Sequence, residues 1–253
     1  MKTALVFLLL CFSSLVWSGE IFAAEESINF SYVCRDLKGS ERWRAEAQIK
    51  NIGPDLYLMT EKARGVYSSF TGPVSWVAEM KFWRDEHNVR PVSLDKSVFD
   101  QNGKMIRRER QEFDLVNNTA ICIHEDPTKN LFRTRKFKFN KNVVTRLSLG
   151  FYAQKFLKNG KTSERLQMVS EEPNVYDIEL RLLGKEAIRI GGRKVAAYRL
   201  CIDPQLGALN FVKNFFPKSY GWHSAVPKYE WLGYEGLEGG LNSEKVEIMI
   251  EEL

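Results

Sequence analysis

Alternating apolar and polar residues run along most of the chain, and this period of two predicts β-strands. Residues 28 to 33 and 43 to 49 alternate in this way. Near the C-terminus, Val246, Ile248 and Ile250 alternate with charged residues, as expected for a half-buried strand. Glycine and proline residues punctuate the runs as turn signals. The pattern therefore predicts a mainly β protein.

Residues 74 to 83 are rich in aromatic side chains and fit two kinds of element. Trp76, Met80 and Trp83 have helical spacing, whereas the surrounding segments all have strand character. Gly72-Pro73 opens the segment with a turn signal. We therefore predict a strand here.

A hairpin is the clearest local feature of the central region. Residues 92 to 99 and 105 to 115 flank the sequence Asp-Gln-Asn-Gly at 100 to 103, and Asn-Gly is a strong hairpin signal. The next two strands, at 119 to 124 and 131 to 139, follow in the same style. Arginine and lysine occur on both faces of some of these strands, which indicates a sheet with an open, partly solvated side.

Residues 143 to 157 break the β pattern and predict the one substantial helix, which ends at Asn159-Gly160. Its apolar side chains cover much of the circumference, so the helix must be buried on several sides. We expect a curved antiparallel sheet or half-barrel with this helix lying against it. Besides one sheet face, the helix needs a further cover: the N-terminal strands, the apolar insertion from Phe211 to Phe216, or a ligand.

The first 24 residues have the layout of a secretory signal peptide. Met1 and Lys2 precede an apolar segment at 4 to 17 that is too short to span a bilayer, and small residues follow it. We place cleavage after Ala24, with Ser18 as the other option and an uncleaved anchor as the alternative. Cys11 follows Leu10 rather than a small residue, which argues against a lipid anchor.

These features predict a signal peptide at 1–24 and one β-rich periplasmic domain at 25–253, with two lobes meeting near 140–160 as a variant of that domain. Beyond the N-terminus no apolar run reaches the length of a membrane-spanning helix, so we do not expect an integral membrane protein.

Export makes disulfides chemically accessible. The cysteines remaining after cleavage are Cys34, Cys122 and Cys201, and an odd number allows at most one intramolecular bridge. The spacing does not choose among the three pairs. No Cys-x-x-Cys pair occurs in the sequence, so we predict buried thiols or one disulfide and no metal site.

The chain carries 37 basic and 32 acidic residues, a net charge of +5. Two basic clusters contribute: Lys104, Arg107, Arg108 and Arg110, then Arg133, Arg135, Lys136, Lys138 and Lys141. In an exported protein such clusters point to an anionic envelope surface or an acidic ligand rather than to nucleic acid. The alternative is that they are solvated faces of exposed strands.

Motifs for catalysis are missing from the sequence. Gly160-Lys161-Thr162 resembles the end of a P-loop, but Lys155 stands where the first glycine is required. His223 lies beside Ser224 in a setting that suggests chemistry, yet spacing alone cannot assemble a triad. We predict a non-enzymatic protein with no catalytic residue, cofactor or metal.

Aromatic side chains are the remaining candidates for a site. They are either ordinary core or the lining of an apolar cavity between the curved sheet and the helix, suited to a lipid or another hydrophobic ligand. The candidate ligand-binding residues are Trp76, Trp83, Phe151, Tyr152, Phe156, Trp222 and Trp231.

From Val143 onward the chain resembles an exported bacterial family known as domain of unknown function 3108. The likeness lies in the order of an apolar segment, a long strand and a Trp-bearing hairpin: 147–152, then 177–190 with Gly192 and 196–200, then 231–250. The chain departs from the family by its insertion at 204–220. The resemblance implies a periplasmic, β-rich protein similar in layout to half-barrel lipoprotein carriers, and it implies no catalytic residue.

Two hypotheses for the function follow. In the first, a non-enzymatic envelope protein binds a hydrophobic ligand or a lipid-modified partner on its curved sheet. In the second, the chain is a structural or protein-interaction module that docks on another envelope protein without a small ligand.

Overall fold

The computed structural model describes residues 27–140, 142–171, 173–205, 218–239 and 243–252. The signal peptide predicted at 1–24 and the apolar part of the insertion, Phe211 to Phe216, lie outside these ranges.

The described residues form a single sheet of fifteen strands. The strands are β1 (Ile28–Asp36), β2 (Glu41–Gly53), β3 (Leu56–Val66), β4 (Pro73–Arg84), β5 (Val89–Asp100), β6 (Met105–Asp114), β7 (Thr119–Asp126), β8 (Leu131–Lys138), β9 (Val143–Thr145), β10 (Ser163–Val169), β11 (Val175–Ile190), β12 (Arg193–Pro204), β13 (Ser219–Ser224), β14 (Trp231–Leu237) and β15 (Lys245–Ile250). One short 3₁₀ turn, Pro127–Lys129, joins β7 to β8, and the helix α1 spans Arg146–Lys158.

Two antiparallel meanders make up the sheet. β1 to β8 form the first, β10 to β15 form the second, and β1 pairs with β15 to join them, for example with Cys34 opposite Ile248. The short strand β9 is the exception, because it pairs in parallel with β10. The two end strands of the sheet, β8 and β9, follow each other along the chain. The predicted mainly β architecture, a curved open sheet with one substantial helix, is confirmed.

The local predictions for β4 and the central hairpin are also confirmed. Along β4 the even-numbered residues from Val74 to Phe82 are buried and the residues between them are exposed, so Trp83 lies on the outer face. The turn between β5 and β6 is closed by Asp100, whose side chain accepts hydrogen bonds from the backbone N–H groups of Asn102 and Lys104, both at 2.9 Å. Gly103 adopts the positive φ of 77° that such a turn requires.

The helix starts three residues later than predicted, at Arg146, because residues 143 to 145 pair with β10 as β9. Thr145 and Ser148 form a capping box: the Thr145 hydroxyl accepts from the Ser148 N–H at 3.1 Å, and the Ser148 hydroxyl accepts from the Thr145 N–H at 2.8 Å. Both residues are buried completely, so these side chains satisfy backbone groups that water cannot reach.

α1 lies in the hollow of the sheet and is covered by strands of both meanders. On one side, Phe151 stacks on Phe82 of β4 with the ring centroids 4.9 Å apart. On the other side, Tyr152 and Phe156 pack against β10, β11 and β12 through Leu166, Ile178, Leu180 and Leu200. The prediction of burial on several sides is confirmed, and the N-terminal strands supply one of the covers.

A third cluster closes the hollow beyond the start of the helix. Phe113 on β6 and Cys122 on β7 pack against Phe139, Val143 and Val169. β9 and the end of β10 therefore lie over the inner face of β6 and β7. β8 lies beyond this packing and is largely exposed.

Truncating a helix residue at the centre of this packing tests whether α1 fills the hollow of the sheet. Phe156 is 1% exposed, so Phe156→Ala should lower the free energy of unfolding by about 3–5 kcal/mol, the usual loss for a buried phenylalanine. Trp83 on the outer face is the matched control, and Trp83→Ala should cost about 1 kcal/mol or less. Urea unfolding of both variants measures the difference, and equal losses would contradict the placement of α1.

Candidate functional site

A cluster of charged side chains lies in the hollow beside the N-terminus of α1. Glu171, in the turn between β10 and β11, accepts from Lys96 Nζ at 2.5 Å and lies 3.3 Å from an Arg146 guanidinium nitrogen. Lys96 projects inward from β5 and is 8% exposed, whereas Arg146 is the first residue of α1 and retains partial exposure. Three separate elements therefore meet in one ion-paired cluster.

The turn that carries Glu171 is pinned from several directions. The Ser170 N–H donates to the Asn174 carbonyl at 3.0 Å and closes the turn. The Gln111 amide on β6 donates to the Ser170 carbonyl at 2.9 Å, and Arg135 on β8 donates to the Pro173 carbonyl at 2.9 Å. The position of Glu171 is therefore set by the strands around it.

Burial and charge oppose each other in this cluster. Burial by itself would raise the pKa of Glu171, but the positive charges of Lys96 and Arg146 outweigh it and hold the pKa well below the ordinary value. Burial would likewise lower the pKa of Lys96, and the negative charge of Glu171 raises it instead. Both groups are ionised over the whole physiological range.

Glu109 on β6 is the exception within the cluster. It is 2% exposed, and its Oε2 has no hydrogen-bond partner among the described residues. Burial, reinforced by the negative charge of Glu171, raises the pKa of Glu109 to about 8, against lowering contributions from Lys96 and Arg107. His124, opposite Glu109 on β7, has its Nδ1 4.0 Å from Glu109 Oε1. The raised pKa therefore favours the protonated form of Glu109 in the folded protein.

Two further buried carboxylates accept from aromatic side chains. Glu61 on β3 accepts from the Trp76 indole at 2.6 Å and from the Tyr32 hydroxyl. Glu238, after β14, accepts from the Trp43 indole at 2.6 Å. Hydrogen bonding to fixed donors compensates for the cost of burying these acids.

Tyr67 joins the two groups of acids. Its hydroxyl donates to the Glu238 carbonyl at 3.0 Å and accepts from the Arg146 guanidinium at 2.7 Å. The Lys96 ammonium lies over the rings of Tyr67 and Trp76, at 5.3 and 5.5 Å from their centroids. The interior around the helix start is thus one connected polar and aromatic network.

Four of the seven predicted ligand-binding residues lie in one hydrophobic cluster, Trp76, Phe151, Trp222 and Trp231. Trp231 makes an edge contact with Tyr32 at 5.6 Å and fills the space beside Gly150 of α1, 3.5 Å from where a Cβ would lie. Trp222 donates through its indole to Glu186 at 2.5 Å. Each of these four rings contacts other protein side chains.

The other three predicted residues lie elsewhere. Tyr152 and Phe156 belong to the cluster between α1 and β10 to β12. Trp83 is 39% exposed on the outer face of β4. The structure therefore does not gather all seven around one site.

The charged residues of the cluster were missed by the sequence reading. Lys96 and Glu61 occupy inward positions in strands that otherwise alternate regularly, between apolar neighbours such as Leu94 and Val98. A charged residue at an inward position is the signal that could have found them. No local pattern marks Arg146 or Glu171, because the fold brings them together.

The three cysteines among the described residues are buried and free. Cys34 lies on β1, Cys122 on β7 and Cys201 on β12, and no two of these strands are neighbours in the sheet. Burial raises the pKa of the Cys122 thiol to about 12, so this thiol stays protonated and unreactive. The buried-thiol alternative of the sequence analysis describes the structure.

His223 is a buried residue that makes a structural hydrogen bond. It is 2% exposed, and its Nδ1 lies 2.9 Å from the Tyr229 carbonyl, which accepts a hydrogen bond from it. Burial lowers the pKa of His223 to about 4. The ring is therefore neutral and anchors the loop before β14.

Depressions on the surface are open and polar in part. One of about 670 Å³ lies at the ends of β2 to β5, lined by Arg42, Arg64 and Asp100 among others, and a smaller one of about 220 Å³ lies beside Arg35 and Glu247. Within the described ranges, no three metal-binding side chains come together, and no helix has the length and apolarity to cross a membrane.

Comparison with solved structures supports the architecture. A β-barrel-like protein of domain of unknown function DUF1849 from Brucella abortus aligns over 89% of this chain and 95% of its own, with a TM-score of 0.53 and 8% identity. At that identity the likeness shows the fold alone. A candidate lipoprotein from Parabacteroides distasonis aligns over 90% of this chain and 94% of its own, with 9% identity and a TM-score of 0.30, which carries no argument.

No protein-family model and no curated protein matches the chain. The DUF1849 structure thus supports a β-rich, barrel-like fold, and the specific likeness to domain of unknown function 3108 stays a prediction.

The protonated Glu109 should make the stability depend on pH. Its pKa is raised from 4.5 in the unfolded chain to about 8 in the folded protein. Between these two values the folded protein binds this proton more tightly than the unfolded chain does. The contribution of Glu109 to the free energy of unfolding is therefore fully present below about pH 4.5 and is lost as the pH rises towards 8. Glu109→Gln should reduce this fall of the free energy of unfolding with pH. The stability of the variant relative to the parent protein should be greatest near pH 8.

Urea unfolding at intervals between pH 5 and 8 measures this dependence. Glu112, exposed on the same strand, provides the control, since Glu112→Gln should keep the slope of the parent protein. A parent and a Glu109→Gln variant with the same slope would show that Glu109 is ionised in the folded state.

The ion pair of Glu171 with Lys96 should be far stronger than a surface pair. Glu171→Gln leaves two cations facing a neutral amide, so the free energy of unfolding at pH 7 should fall by about 3 kcal/mol. The exposed pair Lys158–Glu86 is the control, and Glu86→Gln should cost about 1 kcal/mol or less. Comparable losses in the two variants would refute an anchoring role for Glu171.

Proposed function

We propose that the protein is a non-enzymatic module of the cell envelope that acts by docking to another macromolecule, without a small ligand in its hollow. The observation that carries this proposal is that α1 fills the hollow. Phe151 stacks on Phe82 at 4.9 Å, and Phe156 is 1% exposed on the other side of the helix.

A carrier of hydrophobic molecules needs an apolar cavity of about 300–1,000 Å³. Here the aromatic rings of the hollow pack against one another and against α1. The space beyond them holds the ion pair of Lys96 with Glu171 and the tryptophan-bound carboxylate Glu61. A lipid tail would have to displace the helix. It would also leave charged groups without their partners in an apolar environment, which is costly in free energy.

The non-enzymatic part of the proposal is supported by the roles of the buried titratable groups. Glu171 is paired with two cations, Glu238 is held by the Trp43 indole, and His223 is neutral and bonded to a carbonyl. Each of these groups has a structural partner. Residence in the envelope rests on the signal-peptide pattern of residues 1–24.

Native mass spectrometry of the protein purified from its host tests the proposal against the ligand-carrier hypothesis. We expect the mass of the polypeptide alone, and no saturable uptake of the fluorescent probe N-phenyl-1-naphthylamine. Phe151→Ala should then behave as a core truncation, lowering the free energy of unfolding by about 3 kcal/mol.

The opposite result would support a carrier. A stoichiometric lipid in the native spectrum would overturn the proposal. So would probe uptake by the parent protein that Phe151→Ala abolishes without loss of stability. Trp83→Ala, which changes an aromatic residue outside the hollow, controls for nonspecific probe binding.

A further inference from the structure

β8 is an end strand of the sheet. It pairs with β7 along its whole length, from Thr119 opposite Lys138 to Asp126 opposite Leu131. Within the described ranges, its other edge makes no backbone hydrogen bond. Eight residues of extended backbone therefore have one bonded edge and one free edge.

The alternation of antiparallel pairing shows which residues face the free edge. The Phe139 N–H, just past the strand, donates to the Asn118 carbonyl at 2.9 Å. In an antiparallel ladder every second residue bonds to the neighbour, so Arg133 and Arg135 bond to β7. The backbone groups of Phe132, Thr134, Lys136 and Lys138 then point to the free edge.

Solvent reaches this edge. All residues from 132 to 136 are exposed, and Phe132 is 64% exposed. Ile121, on β7 beside Lys136, is 38% exposed on the same outer face. An extended strand with an open edge of this length is a template for the addition of another strand.

The charge of β8 selects the chemistry of such a strand. Its sequence, LFRTRKFK, contains four cationic residues and no acidic one. Because Lys136 and Lys138 project to the outer face and Arg133 and Arg135 to the inner face, the edge is positive on both sides. The same charges oppose pairing with the β8 of a second copy.

One of the four cations already has a role within the fold. Arg135 donates to the Pro173 carbonyl and, at 2.6 Å, to the Asn174 side chain. It ties β8 to the turn that carries Glu171. The other three are Arg133, Lys136 and Lys138, and no ion pair of theirs within 4 Å is found in the described part of the chain. Lys136 acts at longer range on Asp114 of β6, and all three are exposed to a partner.

We propose that β8 is the docking strand of this protein and that it binds an acidic, extended segment of a partner polypeptide by strand addition. This inference rests on the proposed function and names its surface and partner class. Main-chain hydrogen bonds to the free edge supply the pairing. Acidic side chains of the partner meet the cations, and an apolar side chain covers Phe132.

Binding of a labelled octapeptide of alternating valine and glutamate, followed by fluorescence anisotropy, tests this inference. The full-length processed protein should bind it saturably and with an affinity that falls with added salt. The same peptide with N-methyl groups on alternate residues should bind about tenfold more weakly or worse, because it lacks the donors for strand pairing. A peptide of alternating valine and lysine should not bind.

Two variants of β8 separate the backbone contribution from the charge. Thr134→Pro removes one N–H from the free edge and leaves the pairing with β7 intact, whereas Thr134→Val keeps that N–H and is its control. The double variant Lys136→Glu and Lys138→Glu reverses the charge. Lys62→Glu with Lys81→Glu makes the same charge change at exposed positions of the central strands β3 and β4.

We expect about tenfold weaker binding for Thr134→Pro and for the β8 charge reversal, and parental binding for both controls. Circular dichroism checks that each variant is folded, and the N-methylated peptide tests strand pairing on the unaltered protein. Equal weakening by the central-strand control would reduce the effect to net charge and overturn the inference.

An anionic membrane is the other source of negative charge. Binding to anionic phosphatidylglycerol vesicles is therefore compared with binding to phosphatidylcholine vesicles, which carry no net charge. Vesicle binding that depends on Lys136 and Lys138, with no peptide binding, would overturn the inference in favour of a lipid surface. If the peptide does not bind and no lipid co-purifies, strand addition fails while the proposed docking function stands. A stoichiometric lipid in the hollow would remove the proposed function, whatever β8 does.

Discussion

The concave face of a single curved sheet has to be covered, and the rest of this structure depends on how that is done. A two-layer protein covers an apolar sheet face with a second layer. Here α1, the one α-helix among the described residues, enters the hollow between two meanders and contacts both. Phe151 meets Phe82 of the first meander, and Phe156 meets the strands of the second. The helix joins the halves of the sheet through their common core.

Charged groups then hold the start of the helix, which the Thr145–Ser148 capping box defines. Arg146 at its first position contacts Glu171 and Tyr67, and Lys96 contacts Glu171 from the opposite wall. Buried ion pairs add less stability than apolar packing of the same volume. Removing one partner of such a pair is nevertheless costly, because the other charge then stays buried without a partner. This asymmetry favours one position of α1 over shifted ones. Burial and the negative charge of Glu171 raise the pKa of Glu109, which favours its neutral form.

Filling the hollow moves the accessible surface to the outside and to the ends of the sheet. One end, β9, is buried over β6 and β7, whereas the other, β8, extends past this packing with cationic side chains on both faces. An open sheet always has two edges. In this protein one edge is buried against the core and the other faces solvent, which is why we place the proposed docking at β8.

The period of two along the chain determined the mainly β class, the hairpin at Asp100 to Gly103 and the strand containing Trp76, because alternation and turn chemistry are local. The apolar circumference of residues 143 to 157 likewise showed that a helix is buried on several sides. Alternation also places Trp76 and Trp83 on opposite faces of β4. Sequence alone did not show that Lys96, Arg146 and Glu171 meet, nor that α1 contacts both meanders. Those relations join positions far apart in the chain, and only the pairing of β1 with β15 and the curvature of the sheet bring them together.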